Sequence, residues 1–349
     1  MSIKERIRDF VQLGKILGHL STGESWSGFE LGLTESEFNN FEEIIKGHKH
    51  INGWFEQDQI RLAMKAWSLV LTEEKLTSWL DNYPNVVRTP RRVGVIMAGN
   101  IPLVGFHDYI SVLMSGNILV GKLSSDADRM LPAISKILIG FNEDWTDRIV
   151  WKKGKLEGYD AVIATGSNNT ARYFEYYFRK VPHIIRKNRT GVAILTGEES
   201  KEQLTALGQD VFQYFGLGCR NISKIYIPKD FVLDRFFEAI YDFNEIANLN
   251  KYANNYDYNR AIYLMNQDPF LENGFVCMKE VVGDLTSPVG VIFYERYDSK
   301  EEIMIQLEAR KDEIQCIVGK DSIPFGHAQF PELDEYADGV DTMAFLGGL

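Results

Sequence analysis

The stretch VGVIMAGNIPLVGFHDYISVLMSGNILVGKLSSDAD, residues 93–128, decides the architecture. It opens on the apolar run VGVIM (93–97), turns at AGNIP and continues as an apolar helical segment through Met114. A second apolar run, NILVGKL (117–123), follows, and then the polar SSDAD. Apolar runs this short, bounded by turns and alternating with helices, read as strands buried on both faces of a parallel sheet. DAVIA (160–164) before TGSNNT and ARYFEYYFRK, and GVAIL (191–195) before TGEES and EQLTALGQDVFQYF, repeat the pattern. The expected class is α/β, with a doubly wound parallel sheet.

Upstream, residues 1 to about 85 read as helical, with a Thr-x-x-Glu-like start in LTESEF and Pro84 and Pro90 closing the region. Downstream, KIYIP, AIYLMN, VGVIFYE and EIQCIVG read as strands, and FVLDRFFEAIYDFNEIANL and SKEEIMIQLEAR as helices. A second α/β domain is expected to begin near residue 190. The 349 residues suffice for two domains of roughly 150 residues each.

Composition narrows the class. No apolar run approaches the roughly 20 residues of a membrane helix, and MSIKERIRDFVQLGKILGHL lacks the pattern of a signal peptide. The net charge of −11 argues against general nucleic-acid binding. Three cysteines, Cys219, Cys277 and Cys316, make a disulfide framework improbable and point to the reducing cytoplasm. The six histidines give no metal-ligand spacing; the closest pair, His48 and His50, reads as part of a solvated loop.

Three groups of residues could carry chemistry. Thr165, Gly166 and Ser167 form a strand-to-helix turn, and Lys122, Ser124 and Ser125 form another. Both are simple helix caps or anion sites, because unpaired N–H groups and the helix dipole favour negative charge. Two such turns on neighbouring strands favour a dinucleotide at the carboxyl edge of the sheet, although no Gly-x-Gly-x-x-Gly is present. Cys219 sits in GLGCRN, after Gly216 and Gly218 and before Arg220, at a turn opening onto a strand. A lone cysteine is by default a small buried hydrophobe, as Cys316 and Cys277 are read here, but this setting equally suits an exposed thiolate nucleophile. Asn100, at the end of the first strand, can donate to an oxyanion or satisfy a turn.

These pieces together resemble the aldehyde dehydrogenase superfamily, and within it the acyl-CoA reductase family typified by the fatty-acid reductase of bacterial bioluminescence (LuxC type). The stretches that carry the resemblance are 99–128, VIATGSNNTARYFEYYF (162–178), GLGCRNISKIYIP (216–228), KEVVGDLTSPVGVIFYE (279–295) and the closing PFGHAQFPELDEYADGVDTMAFL (324–346). The resemblance implies that Cys219 is the catalytic thiol and that Asn100 completes the oxyanion hole. It implies that Lys122 reaches the adenosine ribose, with Ser124 and Ser125 beside it, and that Thr165, Gly166 and Ser167 lie near the pyrophosphate. Glu280 matches the carboxylate that holds the nicotinamide ribose, although the residues after it depart from the usual pattern.

Two departures shape the implied activity. Hydrolytic aldehyde dehydrogenases carry a water-activating glutamate, whereas the matching stretch HIIRKNRTGVAIL (183–195) contains no acidic residue. Ser125 stands where NAD-preferring relatives often place a glutamate, which favours NADPH over NADH. The expectation is an NADPH-dependent acyl-CoA reductase that forms an aldehyde through a Cys219 thioester. An oxidising aldehyde dehydrogenase and a Cys-dependent acyltransferase or thioesterase are the alternatives. The expected domains are 1–190 (helices and a Rossmann-like cofactor domain), 191–323 (catalytic) and 324–349 (closing segment). The expected substrate is an acyl-CoA or acyl-protein thioester, in a homo-oligomer or a fatty-acid reductase complex. His183 and His327 are candidates for a general acid by residue type only.

Overall fold

The computed structural model describes residues 1–28, 31–83, 89–123 and 129–349, which divide into two compact units. Met1–Lys187 and Glu332–Leu349 form one, and Asn188–Pro331 the other.

The first unit begins with helices α1 (Ile3–Thr22), α2 (Glu35–Gly47), α3 (Gln57–Val70) and α4 (Glu73–Asp81). Reciprocal caps start two of them: Ser2 with Glu5 on α1, and Thr34 with Glu37 on α2. Each satisfies two otherwise orphaned N–H groups at the helix end. Then come β1 (Arg92–Ile96), α5 (Phe106–Met114), β2 (Ile118–Lys122), α6 (Met130–Phe141), β3 (Ile149–Trp151), β4 (Ala161–Thr165), α7 (Asn168–Phe178) and β5 (His183–Arg186). The five strands are all parallel, in the order β3-β2-β1-β4-β5. Their central residues are buried on both faces, which explains why they read as unbroken apolar runs.

The second unit contains β6 (Thr190–Ile194), α8 (Lys201–Phe212), β7 (Ile222–Pro228), α9 (Asp234–Ala239), α10 (Asn250–Asn266), β8 (Leu271–Glu272), β9 (Cys277–Glu280), β10 (Val291–Tyr297), α11 (Lys300–Ala309) and β11 (Ile314–Gly319). Its sheet runs β11-β6-β7-β10-β9-β8, parallel except for the short edge strand β8. A core of Leu204, Leu207, Ile225, Phe236, Phe275 and Ile292 packs helices α8 and α9 against it. The chain ends in α12 (Thr342–Gly347), back in the first unit. There the buried Arg186 guanidinium pairs with Asp108 at 2.5 and 2.6 Å and donates to Thr342 Oγ1 at 2.8 Å. Asn117 similarly donates to the Leu346 carbonyl at 3.2 Å.

The α/β fold with two parallel-sheet domains is thus the one expected from sequence, with two local corrections. AIYLMN is not a strand but the last part of α10, whose seventeen residues run from Asn250 to Asn266. A short apolar run alone does not distinguish a buried strand from a helix. His48 is not solvated: it is fully buried, stacks on Phe55 at 4.9 Å, and its Nε2 accepts from the Arg129 N–H at 3.2 Å. A single 3-10 turn there sends neighbouring side chains in different directions, so His50 stays exposed.

Candidate active site

In the first unit, the strand order reverses at β1: the chain moves outward to β2 and β3, then returns to β4 on the other side. The crevice at such a reversal, beyond the carboxyl ends of the strands, is where open α/β sheets take ligands. Lys122 ends β2 level with Ile96, and Ala164 is level with Ile96 from the other side, so Thr165 lies one rung beyond. Lys122, the Asn100 loop after β1 and the Thr165–Ser167 turn after β4 therefore share one sheet edge, but the two turns are not on neighbouring strands as expected from sequence: β1 stands between β2 and β4. Ser124 and Ser125 lie outside the described residues.

Each of these groups is held differently. Asn100 is exposed on a bend, and the carbonyl of the preceding Gly99 accepts from Asn52 Nδ2 at 3.1 Å. Ser167 is the N-cap of α7: its Oγ accepts from the Thr170 N–H at 3.2 Å and meets Thr170 Oγ1 at 2.9 Å. With that hydroxyl engaged in the cap, an anion here would be met by the backbone N–H groups of the first turn. A side chain at Gly166 would bring a Cβ to 3.0 Å from both Phe174 and Thr170, so glycine permits the turn to pack closely on α7. These features fit a nucleotide phosphate at the β4–α7 turn.

In the second unit, Cys219 is an exposed thiol in the turn between a 3-10 segment (Gln213–Gly216) and β7. The path into that turn is strained. Tyr214 and Phe215 both occupy the left-handed region, at φ 50° and 58°, and Gly216 continues it at 76°. Such residues cost about 1–3 kcal/mol each and persist only where their surroundings hold them. The clamp is Asn221. Its buried Nδ2 donates to the carbonyls of Asp210 (3.0 Å), Val211 (3.2 Å) and Gln213 (2.8 Å), and its Oδ1 accepts from the Gly218 N–H at 2.7 Å. One amide thereby closes the end of α8 onto the cysteine turn.

A second brace reaches the turn from 324–331. The buried Asp210 carboxylate accepts from the N–H groups of Gly326 (2.7 Å) and Ala328 (2.9 Å), and the Arg220 Nε donates to the Ala328 carbonyl. Burial raises the Asp210 carboxyl to about 6 against the opposing pull of those two N–H donors. Cys277 and Cys316 are buried, and burial pushes Cys277 up to about 12, which makes it an inert thiol.

Glu280 ends β9, exposed, directly beside Tyr294 of β10. Burial raises the Tyr294 phenol, and the Glu280 carboxylate adds to that by its charge and a hydrogen bond. His183 Nδ1 lies 2.9 Å from the Val181 carbonyl and His327 Nδ1 3.1 Å from the Phe325 carbonyl, so each is engaged locally. Among the described residues no cluster of three or more His, Cys, Asp or Glu side chains could hold a metal, and no helix is long and apolar enough to cross a membrane.

Sequence reasoning missed Asn221, Asp210 and Lys224. Lys224 left a signal: it is the one charged residue of the strand stretch ISKIYIP (222–228), and in the fold its side chain is 0% exposed. Asn221 and Asp210 left none, because their partners are backbone carbonyls and N–H groups, near in the chain for Asn221 and more than a hundred residues away for Asp210.

No family model matches the sequence, and no curated protein matches it. Solved structures do. Aldehyde dehydrogenase 21 from Physcomitrella patens, solved with the reaction product succinate, superposes with a TM-score of 0.63 at 12% identity, over 92% of this chain and 74% of that one. The chain has the aldehyde dehydrogenase fold. An NAD+ complex of the Bacillus cereus aldehyde dehydrogenase (TM-score 0.60, 14% identity, 91% and 72% covered) shares it, as does the NAD-dependent aldehyde dehydrogenase of Sinorhizobium meliloti (0.62, 13%, 91% and 70%). In an aldehyde dehydrogenase fold the exposed, braced thiol is the group that stands out in the second unit, and the strand-edge turns stand out in the first.

Proposed function

We propose that this protein is a thiol-dependent nicotinamide oxidoreductase that reduces an acyl thioester, acyl-CoA or acyl-protein, to an aldehyde. The observation that carries the proposal is Cys219: the chain accepts a strained, doubly braced turn in order to present this thiol to solvent. Lys122 and the Thr165–Ser167 turn would hold the dinucleotide, and Glu280 its nicotinamide ribose. By residue type alone, Ser125, standing where NAD-preferring relatives often place a glutamate, favours NADPH over NADH. The bound nicotinamide supplies the hydride.

The chain's own residues supply the rest. The Cys219 thiolate attacks the thioester carbonyl carbon and the substrate's thiolate leaves, so one C–S bond forms as another breaks. The acyl-enzyme is again a thioester, and the exchange is close to balanced. In this reading the Cys219 N–H and the Asn100 amide donate to the oxyanion at each tetrahedral stage, worth about 3 kcal/mol per donor in comparable sites. After reduction the Cys219 sulfur departs from the thiohemiacetal as thiolate and the aldehyde is freed. Water must be kept from the acyl-enzyme, and the stretch 183–195 offers no carboxylate to activate it. Its Arg186 is instead locked to Asp108, and nearby Glu199 is taken up by the N–H groups of Thr196 and Gly197.

Aldehyde oxidation with the same thiol is the second reading, favoured by the nicotinamide-dependent aldehyde dehydrogenases that share the fold. One assay separates them: nicotinamide oxidation with a panel of acyl-CoAs, NADPH and NADH in parallel, and aldehyde trapped with a hydrazine. Aldehyde matching the NADPH consumed supports reduction. Carboxylic acid formed from aldehyde and NAD(P)+, with inert acyl-CoAs, establishes the oxidising enzyme. CoA release without nicotinamide oxidation points instead to acyl transfer or hydrolysis.

A further inference from the structure

The crossover from β9 to β10 begins immediately after Glu280 and has no regular structure through Leu285. Its carbonyls are nevertheless caught at every second residue by side chains. Lys224 Nζ donates to Val281 O at 2.9 Å, Arg310 Nη1 donates to Gly283 O, and Ser223 Oγ donates to Leu285 O at 2.7 Å. Two of these donors, Ser223 and Lys224, stand on β7, the strand into which the Cys219 turn leads.

Lys224 is the unusual member. Its side chain is 0% exposed, its ammonium pairs with Glu295 of β10, and it lies 5.0 Å over the Tyr226 ring. A buried ion pair is an expensive way to fill a core: apolar residues of equal volume are often as stable or more so. What an ammonium does and a methionine cannot is donate in two directions at once, to a carboxylate and to a carbonyl. The carbonyl it reaches belongs to the residue next to Glu280. On the other side, the Val281 N–H donates to the Tyr294 carbonyl at 3.0 Å, so Val281 is fixed at both polar groups.

Building on the function proposed above, we infer that the buried Lys224–Glu295 pair is a positioning device. It fixes Val281, and through it the Glu280 carboxylate, against the strand that carries the cysteine turn. Lys224 touches neither substrate nor cofactor in this role; it sets where the ribose-binding carboxylate stands. Loss of the pair would loosen nucleotide binding while leaving the thiol's own reactivity unchanged.

The test compares the wild type with Lys224→Met/Glu295→Leu, which removes both charges at nearly constant volume. It is combined with Glu280→Gln in both backgrounds. NADPH and NADH binding is followed by fluorescence titration, and Cys219 reactivity by the rate of iodoacetamide alkylation. The double variant is expected to melt within a few degrees of wild type and to be alkylated within twofold of its rate, while the nucleotide Kd rises at least tenfold. Glu280→Gln should weaken binding at least tenfold in the wild type and less than threefold in the double variant, because the carboxylate is no longer held there. Equal effects of Glu280→Gln in the two backgrounds, or a Kd within twofold of wild type in the double variant, would overturn the inference alone. A wild type that binds neither nucleotide overturns the cofactor reading and this inference with it. If the double variant does not fold, Lys224→Arg keeps the ion pair but misplaces the donor to Val281; nucleotide binding unchanged in that variant likewise overturns it.

Discussion

Replacing Asn221 with alanine tests whether one buried amide holds the cysteine turn. Asn221 is 3% exposed and makes four hydrogen bonds, three to carbonyls near the end of α8 and one from the Gly218 N–H. Alanine strands the Gly218 N–H and removes the shared Nδ2 donor of the Asp210, Val211 and Gln213 carbonyls. Counting the stranded N–H and the lost amide donor at about 1–3 kcal/mol each, the loss sums to about 2–6 kcal/mol. For a domain of this size that lowers Tm by about 10 °C. Tyr214 and Phe215 would also relax from the left-handed region and shift the thiol, and a displacement of about 1 Å costs on the order of 100-fold in turnover. Asn221→Asp should be worse than alanine, since it sets a carboxylate against the same carbonyls. Calorimetry and iodoacetamide kinetics at Cys219 give the answer together. A Tm within 2 °C of wild type with unaltered alkylation kinetics would refute the clamp.

Cys219→Ala should abolish aldehyde formation while nucleotide binding, followed by fluorescence titration, stays within twofold; retained turnover would remove Cys219 from the chemistry. Asp210, at about 6 when folded against an ordinary 3.8, binds its proton more readily in the native state. The folded state therefore holds more protons than the unfolded chain between those values, and stability rises as pH falls through about 6 and levels off below about 4, by up to about 3 kcal/mol. Asp210→Asn should flatten that part of a urea-midpoint profile against pH, and an unchanged slope would assign the effect elsewhere. Gly166→Ala places a Cβ 3.0 Å from Phe174 and Thr170, and should raise the nucleotide Kd about tenfold, or 1.4 kcal/mol, with little change in iodoacetamide reactivity. Equal Kd values would show that the β4–α7 turn does not meet the nucleotide.

The sequence alone determined the alternation of strands and helices, because central parallel strands must be apolar on both faces and the polar turns between them then stand out. For the same reason VGVIM, NILVGKL and DAVIA are legible as strands, and the turns after VGVIM and DAVIA fall at one sheet edge. It also separated Cys219 from Cys277 and Cys316, since glycines and polar neighbours mark a turn while alternating apolar neighbours mark a strand face. It could not tell that AIYLMN closes a helix or that His48 is a core residue, where the local pattern is compatible with either outcome. Only the tertiary structure revealed what holds the turn and the Glu280 segment. Asp210 and Lys224 act on backbone groups of residues far along the chain, and Asn221 on those of the helix end and turn just before it. Backbone groups are the same in every residue, so no side-chain pattern announces which of them a buried polar group will meet.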